Sequence, residues 1–448
     1  MTVSHELAAP AVIFGIDPLW YSVTLFALTY LLIITERLNR AIVSISAACL
    51  MILGGVITQQ AAFNGVDFNT LGLLTGMMII VGVSKESGMF QYVAVWATKR
   101  VNADPWGILV VLTGVTALFS AFLDNVTTVL LIAPVTLLIT ESLKINPYPF
   151  LFAEIFASNI GGTATLIGDP PNIMIGSATG LDFNQFLLNL APISLFILPL
   201  MLIPVYLIWG RKLHTEEKYR KRVMAFNEAS SITDPRLLKQ SLFVLALVMT
   251  GFVLAHQINL QPATIAMSGA ALLLILTNLP KPADKQTKSV DKALKEVEWI
   301  TIFFFIGLFI VVYAVETTGA LEQLAHGIIE LTAGDRTITT LAILWISAIA
   351  SSIIDNIPFV ATMIPLIKDM ADSFGGPENL NPMWWALALG SCLGGNGSLV
   401  GASANLIVAG FAERSGQPIR FLPFMLMAFP LMLLSILIAS VYVYLRYL

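Results

Sequence analysis

Long apolar runs separated by short polar loops dominate the chain. The segments 19–35, 190–209, 241–255, 300–315 and 421–444 contain no charged residue. Most approach the length of about 20 apolar residues that an α-helix needs to cross a bilayer. The pattern therefore predicts an all-α polytopic membrane protein, with about ten transmembrane crossings along the chain.

Basic residues predict which loops face the cytoplasm, because cytoplasmic loops carry an excess of Lys and Arg. The segment 211–240 contains eight such residues, and 281–298 contains five lysines. The segments 58–70 and 177–189 contain none. We expect the first two segments to lie inside and the last two outside.

The stretch 106–140 is too long for one helix of ordinary span and has Asp124 near its middle. It is one of three apolar stretches between the basic loops at Lys99 and Arg211. Both loops are expected inside, so the number of crossings between them must be even. We therefore interpret 106–140 as a re-entrant hairpin, whose non-helical tip is tolerated where it is buried or lines a cavity.

The second half of the chain repeats the first. Paired positions at offsets of 231 and then 233 residues share the same residue types: Gly76 and Gly307, Gly88 and Gly319, Asp124-Asn125 and Asp355-Asn356, Gly161-Gly162 and Gly394-Gly395, Gly168 and Gly401, Asn172 and Asn405. The loop before the first repeat lacks positive charge, whereas the loop before the second is rich in Lys. We infer two inverted repeats, which place the binding site at their interface near the midplane.

This repeat divides the chain into three parts. A first half spans 1–210, a cytoplasmic linker spans 211–240, and a second half spans 241–448. Each half is expected to supply one re-entrant hairpin and one broken helix to the binding site.

Two aspartates are the only charged residues of their apolar segments, Asp124 within 106–140 and Asp355 within 337–367. A carboxylate at such a depth is costly, so it indicates a functional role. Burial favours the neutral acid, which suits these residues to carry protons. A second interpretation is that each aspartate caps the helix after a hairpin tip; the two roles can coexist.

The segments 158–172 and 391–405 combine glycines with polar side chains. Glycine permits unwound backbone, and Pro170-Pro171 prevents a continuous helix. Broken helices expose N–H and carbonyl groups that can bind a ligand, although glycines can also serve close helix packing. The candidate substrate-binding residues are Asn125, Thr127, Gly162, Thr163, Thr165, Asn172, Asn356, Gly395, Asn396, Ser398 and Asn405.

The symmetry fails at Asp169, whose counterpart is Ala402. Asp169 therefore joins Asp124 and Asp355 as a candidate proton carrier. Weaker candidates are Glu86, Glu154 and Glu316.

Neither segment nor hairpin tip contains Lys or Arg, which argues against multiply charged anions and favours neutral polyhydroxy solutes, cations or protons. The chain has two cysteines, four scattered histidines and a net charge of −4. These features predict no metal site, cofactor or nucleic-acid partner, and no catalytic arrangement of an enzyme.

These motifs resemble those of the ion transporter superfamily, in its arsenite-permease and pink-eyed-dilution-type branch. The resemblance rests on the sequences that begin at Asp124, Asn159, Ser351 and Gly394. It implies a scaffold domain, a transport domain and elevator-like alternating access, often in a homodimer, in a bacterial inner membrane.

For the substrate, the resemblance implies efflux of neutral arsenite or antimonite driven by proton entry. The sodium/proton antiporter branch has similar motifs and stays open. An organic-anion carrier or a passive channel fits the residues less well. Association with a cytoplasmic ATPase subunit also stays open.

The proton-carrier interpretation predicts the behaviour of two variants. We expect Asp124→Asn and Asp355→Asn to fold and to reach the membrane, but to lose coupled transport because neither side chain can then bind and release a proton. Solute flux under an imposed pH gradient measures this. Full coupled flux in both variants would contradict the interpretation.

Overall fold

The structure, a computed structural model, describes residues 12, 15–35 and 37–448, and these residues form helices and loops without a β-strand. Ten α-helices precede the linker: α1 Pro18–Thr35, α2 Arg40–Leu53, α3 Gln59–Asn64, α4 Phe68–Lys85, α5 Met89–Arg100, α6 Pro105–Phe122, α7 Asn125–Leu143, α8 Tyr148–Thr163, α9 Pro170–Thr179 and α10 Phe183–Ile208. The linker contains α11, Glu217–Met224. Ten helices follow: α12 Pro235–Ile258, α13 Pro262–Asn278, α14 Ala283–Leu294, α15 Trp299–Thr317, α16 Ala320–Leu331, α17 Arg336–Ile353, α18 Asn356–Asp369, α19 Asn381–Gly394, α20 Ser403–Arg414 and α21 Phe421–Tyr447.

The all-α polytopic fold predicted from the sequence is confirmed. Within the described residues, nine helices are long and apolar enough to cross a membrane. They are α1, α4, α6, α7, α10, α12, α15, α17 and α21. Two further apolar helices, α2 and α13, are shorter, with 14 and 17 residues.

The stretch 106–140 forms two helices, α6 and α7, as the hairpin interpretation requires. Asp124 begins α7 as its N-cap, because its side chain accepts the backbone N–H of Thr127 at 2.8 Å. The extended backbone at Leu123 and Asp124 ends the preceding helix. We call residues 123–124 the first tip and residues 354–355, between α17 and α18, the second tip. The re-entrant placement of both hairpins in the membrane stays a prediction.

Both predicted broken helices are present. The first break, residues 164–169, separates α8 from α9, and Pro170-Pro171 lies in the first turn of α9, where proline is tolerated. The second break, residues 395–402, separates α19 from α20 and starts with a 3₁₀ turn. The second break contains no proline, so its three glycines provide the irregular backbone there.

The helices α1–α10 correspond in order to α12–α21, which extends the sequence repeat to the whole structure. Two packing contacts that occur in both halves illustrate the correspondence. A Cβ on Gly76 of α4 would lie 2.7 Å from the carbonyl carbon of Ala266 in α13. A Cβ on Gly307 of α15 would lie 2.5 Å from the carbonyl carbon of Ser44 in α2. Each half therefore supplies a glycine that lets its helix approach a helix from the other half.

The chain forms two compact units. The described residues up to Leu71, together with Glu298–Asp335 and Ala361–Leu380, form the first unit. Gly72–Val297, Arg336–Val360 and Asn381–Leu448 form the second unit. Both tips and both breaks belong to the second unit, whereas the division into halves at 211–240 follows the order of the chain and stays a prediction.

The linker packs against the start of α5 in the second unit. Gly88 begins α5 with a φ of 80°, and a Cβ there would overlap the carbonyl oxygen of Ser231. Lys99 at the end of α5 pairs with Glu228, and this hydrogen bond lowers the pKa of the Glu228 carboxyl group. The linker is thus attached at both ends of one helix and is not a free connector.

An aromatic cluster holds α8 within the second unit. The buried ring of Phe152 stacks on Phe156 and contacts Trp209, after α10, and Phe424 of α21. Aromatic contacts of this kind add to the stabilisation from burial alone. They fix the helix that leads into the first break.

Two equivalent glycines allow close helix contacts in the second unit. A Cβ on Gly161 of α8 would lie 2.2 Å from the carbonyl oxygen of Ala117 in α6. The equivalent Gly394 of α19 would place a Cβ 2.6 Å from the carbonyl oxygen of Ala348 in α17. The proposed packing role of such glycines therefore holds at these two positions.

We expect Gly161→Ala and Gly394→Ala each to destabilise the protein by about 1–3 kcal/mol, since backbone must move to make room for the methyl group. The apparent melting temperature of the detergent-solubilised protein measures the loss. Gly114→Ala in α6 is the control, because nothing lies within 4 Å of a Cβ there. Equal stability of all three variants would contradict the packing argument.

Candidate substrate and ion site

The two tips and the two breaks meet through buried side chains of the second unit. Asn125 of the first hairpin donates to Asn159 Oδ1 at 3.4 Å. Asn159 lies in α8, and its Nδ2 donates to Asn396 and Asn405 of the second repeat at 3.0 and 3.1 Å. All four side chains are buried. A chain of amides therefore joins the two repeats.

Two equivalent asparagines, one in each repeat, donate hydrogen bonds to backbone carbonyl groups at the breaks. Asn172 Nδ2 donates to the carbonyl oxygens of Thr165 at 2.8 Å, Thr163 at 3.2 Å and Gly162 at 3.4 Å. Asn405 Nδ2 donates to the carbonyl oxygens of Gly395 and Ser398 at 2.7 and 2.8 Å. These carbonyls have lost their helical partners, so the amides supply hydrogen bonds that an apolar interior cannot.

A second symmetric pair connects the helix before each tip to the helix before the matching break. Ser120 in α6 donates to the carbonyl oxygen of Ser158, and Ser351 in α17 donates to that of Ser391, both at 2.6 Å. A Cβ on Gly168 would lie 2.5 Å from the carbonyl oxygen of Ser120. Only glycine fits against that backbone, which explains its place in the motif.

One aspartate bonds across the repeats and another bonds within the second repeat. Asn356, which begins α18, donates to both oxygens of Asp169 at 3.2 and 3.4 Å. Ser403, which begins α20, donates to Asp355 Oδ2 at 2.7 Å. Asp169 in the first break thus contacts the second hairpin, and Asp355 in the second tip contacts the second broken helix. Asp169 and Asn356 are fully or almost fully buried.

The two tips differ in how their aspartates are held. Asp124 accepts both the N–H and the hydroxyl group of Thr127. The residue equivalent to Thr127 is Pro358, which has neither group to donate. Asp355 accepts the N–H of Ile357 at 3.1 Å instead. The predicted capping role and the predicted site position of Asp124 are therefore both consistent with its geometry.

Several candidate ligands use their polar atoms within the protein. Thr163 donates to the carbonyl oxygen of Asn159 at 2.7 Å, and Thr165 donates to that of Ala121. Ser398 Oγ accepts the N–H groups of Val400 and Gly401, both at 3.2 Å. These residues shape the backbone at the breaks.

Gly162 and Gly395 also serve the backbone here. A Cβ on Gly162 would lie 2.6 Å from the carbonyl oxygen of Gly168, and one on Gly395 would lie 3.2 Å from that of Gly401. A role of either glycine in binding a solute stays a prediction.

We call the four linked side chains of Asn125, Asn159, Asn396 and Asn405 the amide junction. One buried donor of this junction has no partner among the described residues. Asn396 is fully buried, and its Oδ1 accepts from Asn159, whereas its Nδ2 makes no hydrogen bond there. An unpaired buried amide costs free energy. This atom is therefore the clearest place for an acceptor oxygen of a solute.

Asn159 and Ser403 are functional candidates that the sequence list omitted. In the repeat alignment, the residue equivalent to Asn159 is Cys392. Cys392 is buried and donates to Asn172 Oδ1 at 3.6 Å. The residue equivalent to Ser403 in the first repeat is Pro170. Both positions break the repeat symmetry, which is the signal that could have identified them.

The site combines acidic and neutral groups. Asp124 and Asp355 lie within electrostatic reach of Asp169. The helices that carry the tips and breaks have Lys or Arg only near their ends, at Arg336, Lys368 and Arg414. In the described part of the chain, no group of three His, Cys, Asp or Glu side chains has the arrangement of a metal site. The geometry suits hydrogen bonding to a neutral solute and the binding of protons or small cations.

Comparison with protein families gives a match to the citrate transporter model, CitMHS, over residues 30–390. The chain belongs to this family. A CitMHS protein is a membrane transporter and not an enzyme, and the chain is a multi-span protein of the bacterial plasma membrane.

Relatives agree with this assignment. An uncharacterized transporter of Mycobacterium tuberculosis is 43% identical over 430 residues, which covers 95% of this chain and 98% of the relative. The human P protein is 33% identical over 497 residues, which covers 92% of this chain and 58% of the P protein. The predicted relation to pink-eyed-dilution-type permeases is thereby confirmed, and arsenite specificity stays a prediction.

Two solved structures share the fold. The YdaH transporter of Alcanivorax borkumensis gives a TM-score of 0.58 at 15% identity, and covers 96% of this chain and 98% of its own. MtrF of Neisseria gonorrhoeae, described as an antimetabolite efflux pump, gives 0.59 at 11% identity and covers 98% and 96%. At these identities the likeness concerns the fold alone.

Asn172 and Asn405, which donate to the carbonyl groups of the breaks and are here called the asparagine braces, yield a prediction for this CitMHS protein. We expect Asn172→Asp and Asn405→Asp each to lower stability by about 1–3 kcal/mol or more, since a carboxylate cannot donate to the carbonyls of the break. Thermal unfolding in detergent measures the loss. Asn146→Asp is the control, because Asn146 uses its oxygen to accept the N–H of Tyr148. Wild-type stability of both brace variants would contradict the assigned role.

Proposed function

We propose that this CitMHS protein is a proton-coupled secondary active transporter that exports trivalent arsenite or antimonite as the neutral trihydroxide. The observation that carries the proposal is the amide junction of Asn125, Asn159, Asn396 and Asn405, with the unpaired Nδ2 of Asn396. A small trihydroxide offers both acceptor oxygens and donor hydroxyl groups to such a set of amides. No cation is needed to bind it.

Protons would use the acidic groups next to this junction. Asp169 lies between the two repeats through its bonds with Asn356, and Asp124 and Asp355 lie within its electrostatic reach. Carboxylates within electrostatic reach of one another repel when all are charged, so uptake of a proton relieves that repulsion. Exchange of a proton for a solute at one site couples the two fluxes.

Alternating access would expose this site to each side of the membrane in turn. The resemblance to the ion transporter superfamily and the shared fold support an elevator-like movement, in a homodimer. The lipid bilayer, the solute and protons are the partners that this mechanism requires. It calls for no cofactor and no catalytic residue.

Citrate is the second candidate, favoured by the family description. The site disfavours the free trianion, because three carboxylates and no Lys or Arg surround the amide junction. Citrate whose charge is reduced by protons or by a bound cation meets less repulsion. The experiment must therefore include citrate with and without a divalent cation.

A sodium/proton antiporter is the third candidate. Carboxylates, amide oxygens and the backbone carbonyls of broken helices are all suitable ligands for sodium. A passive channel would need no coupling ion, and the three aspartates of the tips and the first break, two of them buried, argue against it.

Everted membrane vesicles with an acidic lumen test the proposal. We expect arsenite to accumulate in the lumen in proportion to the pH gradient and independently of sodium. Elemental analysis of filtered vesicles measures the uptake, and vesicles without the protein give the background. Citrate uptake that depends on Mg²⁺, or sodium-dependent proton release, with no arsenite flux would overturn the arsenite assignment in favour of the matching alternative.

Asn396→Ala locates the solute within the site. Loss of one neutral hydrogen bond should raise the KM for the transported solute about 2–10-fold. Asn64→Ala, at the exposed end of α3, is the matched control. An unchanged KM in the Asn396 variant would remove this amide from the binding site.

A further inference from the structure

A buried acid outside the amide junction has no role in the mechanism above. Glu154 lies in the middle of α8 and is 1% exposed. Its Oε1 accepts the hydroxyl group of Thr136 from α7, which is also fully buried. Its Oε2 has no hydrogen-bond partner among the described residues.

No basic group neutralises this carboxyl group. Thr136 is the one described side chain that bonds to Glu154. The ionisable groups on the helices and tips packed against α8 are Asp124 and Glu141 of α7, Tyr206 of α10, Cys392 of α19, and Glu413 and Arg414 of α20, while α6 has none. Arg414 is the one cation among these groups, and α21, which contacts α8 through Phe424, adds Arg446; both arginines lie in the last turns of their helices. A permanent charge on Glu154 would therefore be uncompensated.

Polar groups lie between Glu154 and the surface. A cavity of about 620 Å³ is lined by Thr140, Glu141 and Lys144 at the end of α7, together with Asn146, Ser415 and Gln417. Thr140 donates to the carbonyl oxygen of Thr136, one helical turn from the cavity. Only the turn from Thr140 to Thr136 therefore separates the cavity wall from the partner of Glu154.

Polar groups also lead from Glu154 toward the amide junction. Ser158 lies one turn further along α8, and Asn159 follows it. In the repeat alignment, Leu387 is the residue equivalent to Glu154, and Ile367 is the residue equivalent to Thr136. The acid and its partner are thus absent from the second repeat, so the fold itself does not require them.

We propose that Glu154 is a proton-binding site that relays protons between the cavity at Thr140 and the amide junction. It binds a proton from water in the cavity as a neutral acid, and releases it toward the junction when the acidic groups there are charged. The relay rests on the proton coupling of the proposed function, whereas reversible proton binding at Glu154 does not.

Infrared difference spectroscopy tests proton binding without any solute. The protein is reconstituted in lipid, and spectra at about pH 5 and about pH 9 are compared, a range that spans the usual and the raised titration of a carboxyl group. We expect Glu154→Gln to lose one carboxylic C=O band from the wild-type difference spectrum. Thr136→Val should keep that band at a shifted frequency, because it removes the hydrogen bond to Oε1.

Glu413→Gln, at the exposed end of α20, is the matched control and should retain the band. If the Glu154→Gln spectrum equals that of the wild type, Glu154 keeps one protonation state throughout, and the proposal is wrong. This result would stand whether or not any solute is transported.

Transport measurements test the relay. We expect Glu154→Gln to retain solute counterflow within about twofold and to lose gradient-driven accumulation by about tenfold or more, as for removal of a proton-transfer group. Accumulation at the wild-type level would overturn the relay. If the wild-type protein accumulates no solute under a pH gradient, the proposed function fails, and the infrared result alone decides whether Glu154 binds protons.

Discussion

The structure depends on the need to satisfy backbone carbonyl groups where helices stop inside an apolar interior. Water is absent there, so each unpaired carbonyl is costly. Asn172 and Asn405 meet this need by donating one amide to several carbonyls of the adjoining break. Asn172 and Asn405 therefore stabilise the breaks, and Asn405 also joins the amide junction through its bond with Asn159. The conformational freedom of glycine and the proline pair permits the breaks, and the amides stabilise them.

Residues that are the same in both repeats and residues that differ between them have different roles in the site. The elements that hold the backbone are duplicated: the two asparagine braces, the serines at 120 and 351, and the glycines that face them. The groups that differ between the repeats carry charge or bridge them, namely Asp169 against Ala402, Asn159 against Cys392, and Glu154 against Leu387. A duplicated scaffold can thus hold a single, directional binding site. The residues that interrupt the repeat are therefore functional candidates beside the duplicated Asp124 and Asp355.

The sequence was sufficient to predict the helical class, the hairpin at Asp124, both breaks and the correspondence of the halves, because these follow from apolar length, from Gly and Pro, and from a constant offset. It was not sufficient for the roles of single polar residues. Thr163, Thr165 and Ser398 are predicted ligands whose hydroxyl groups also contact nearby backbone, and a role in binding a solute stays a prediction for them. Asn159 was overlooked as a ligand because its partners Asn396 and Asn405 are more than 200 residues away. Hydrogen bonds across that separation depend on the packing of α8 and are not visible in local patterns.

The replacement of Thr127 by Pro358 in the second repeat has a consequence for local stability. The first tip closes upon itself, since Asp124 is capped by a threonine three residues later. In the second tip, Asp355 accepts a hydrogen bond from Ser403, at the start of α20. Unfolding of the first tip can therefore be a local event, whereas opening of the second tip is cooperative with its broken helix. The two hairpins, though alike in sequence, would fray by different routes and with different free energies.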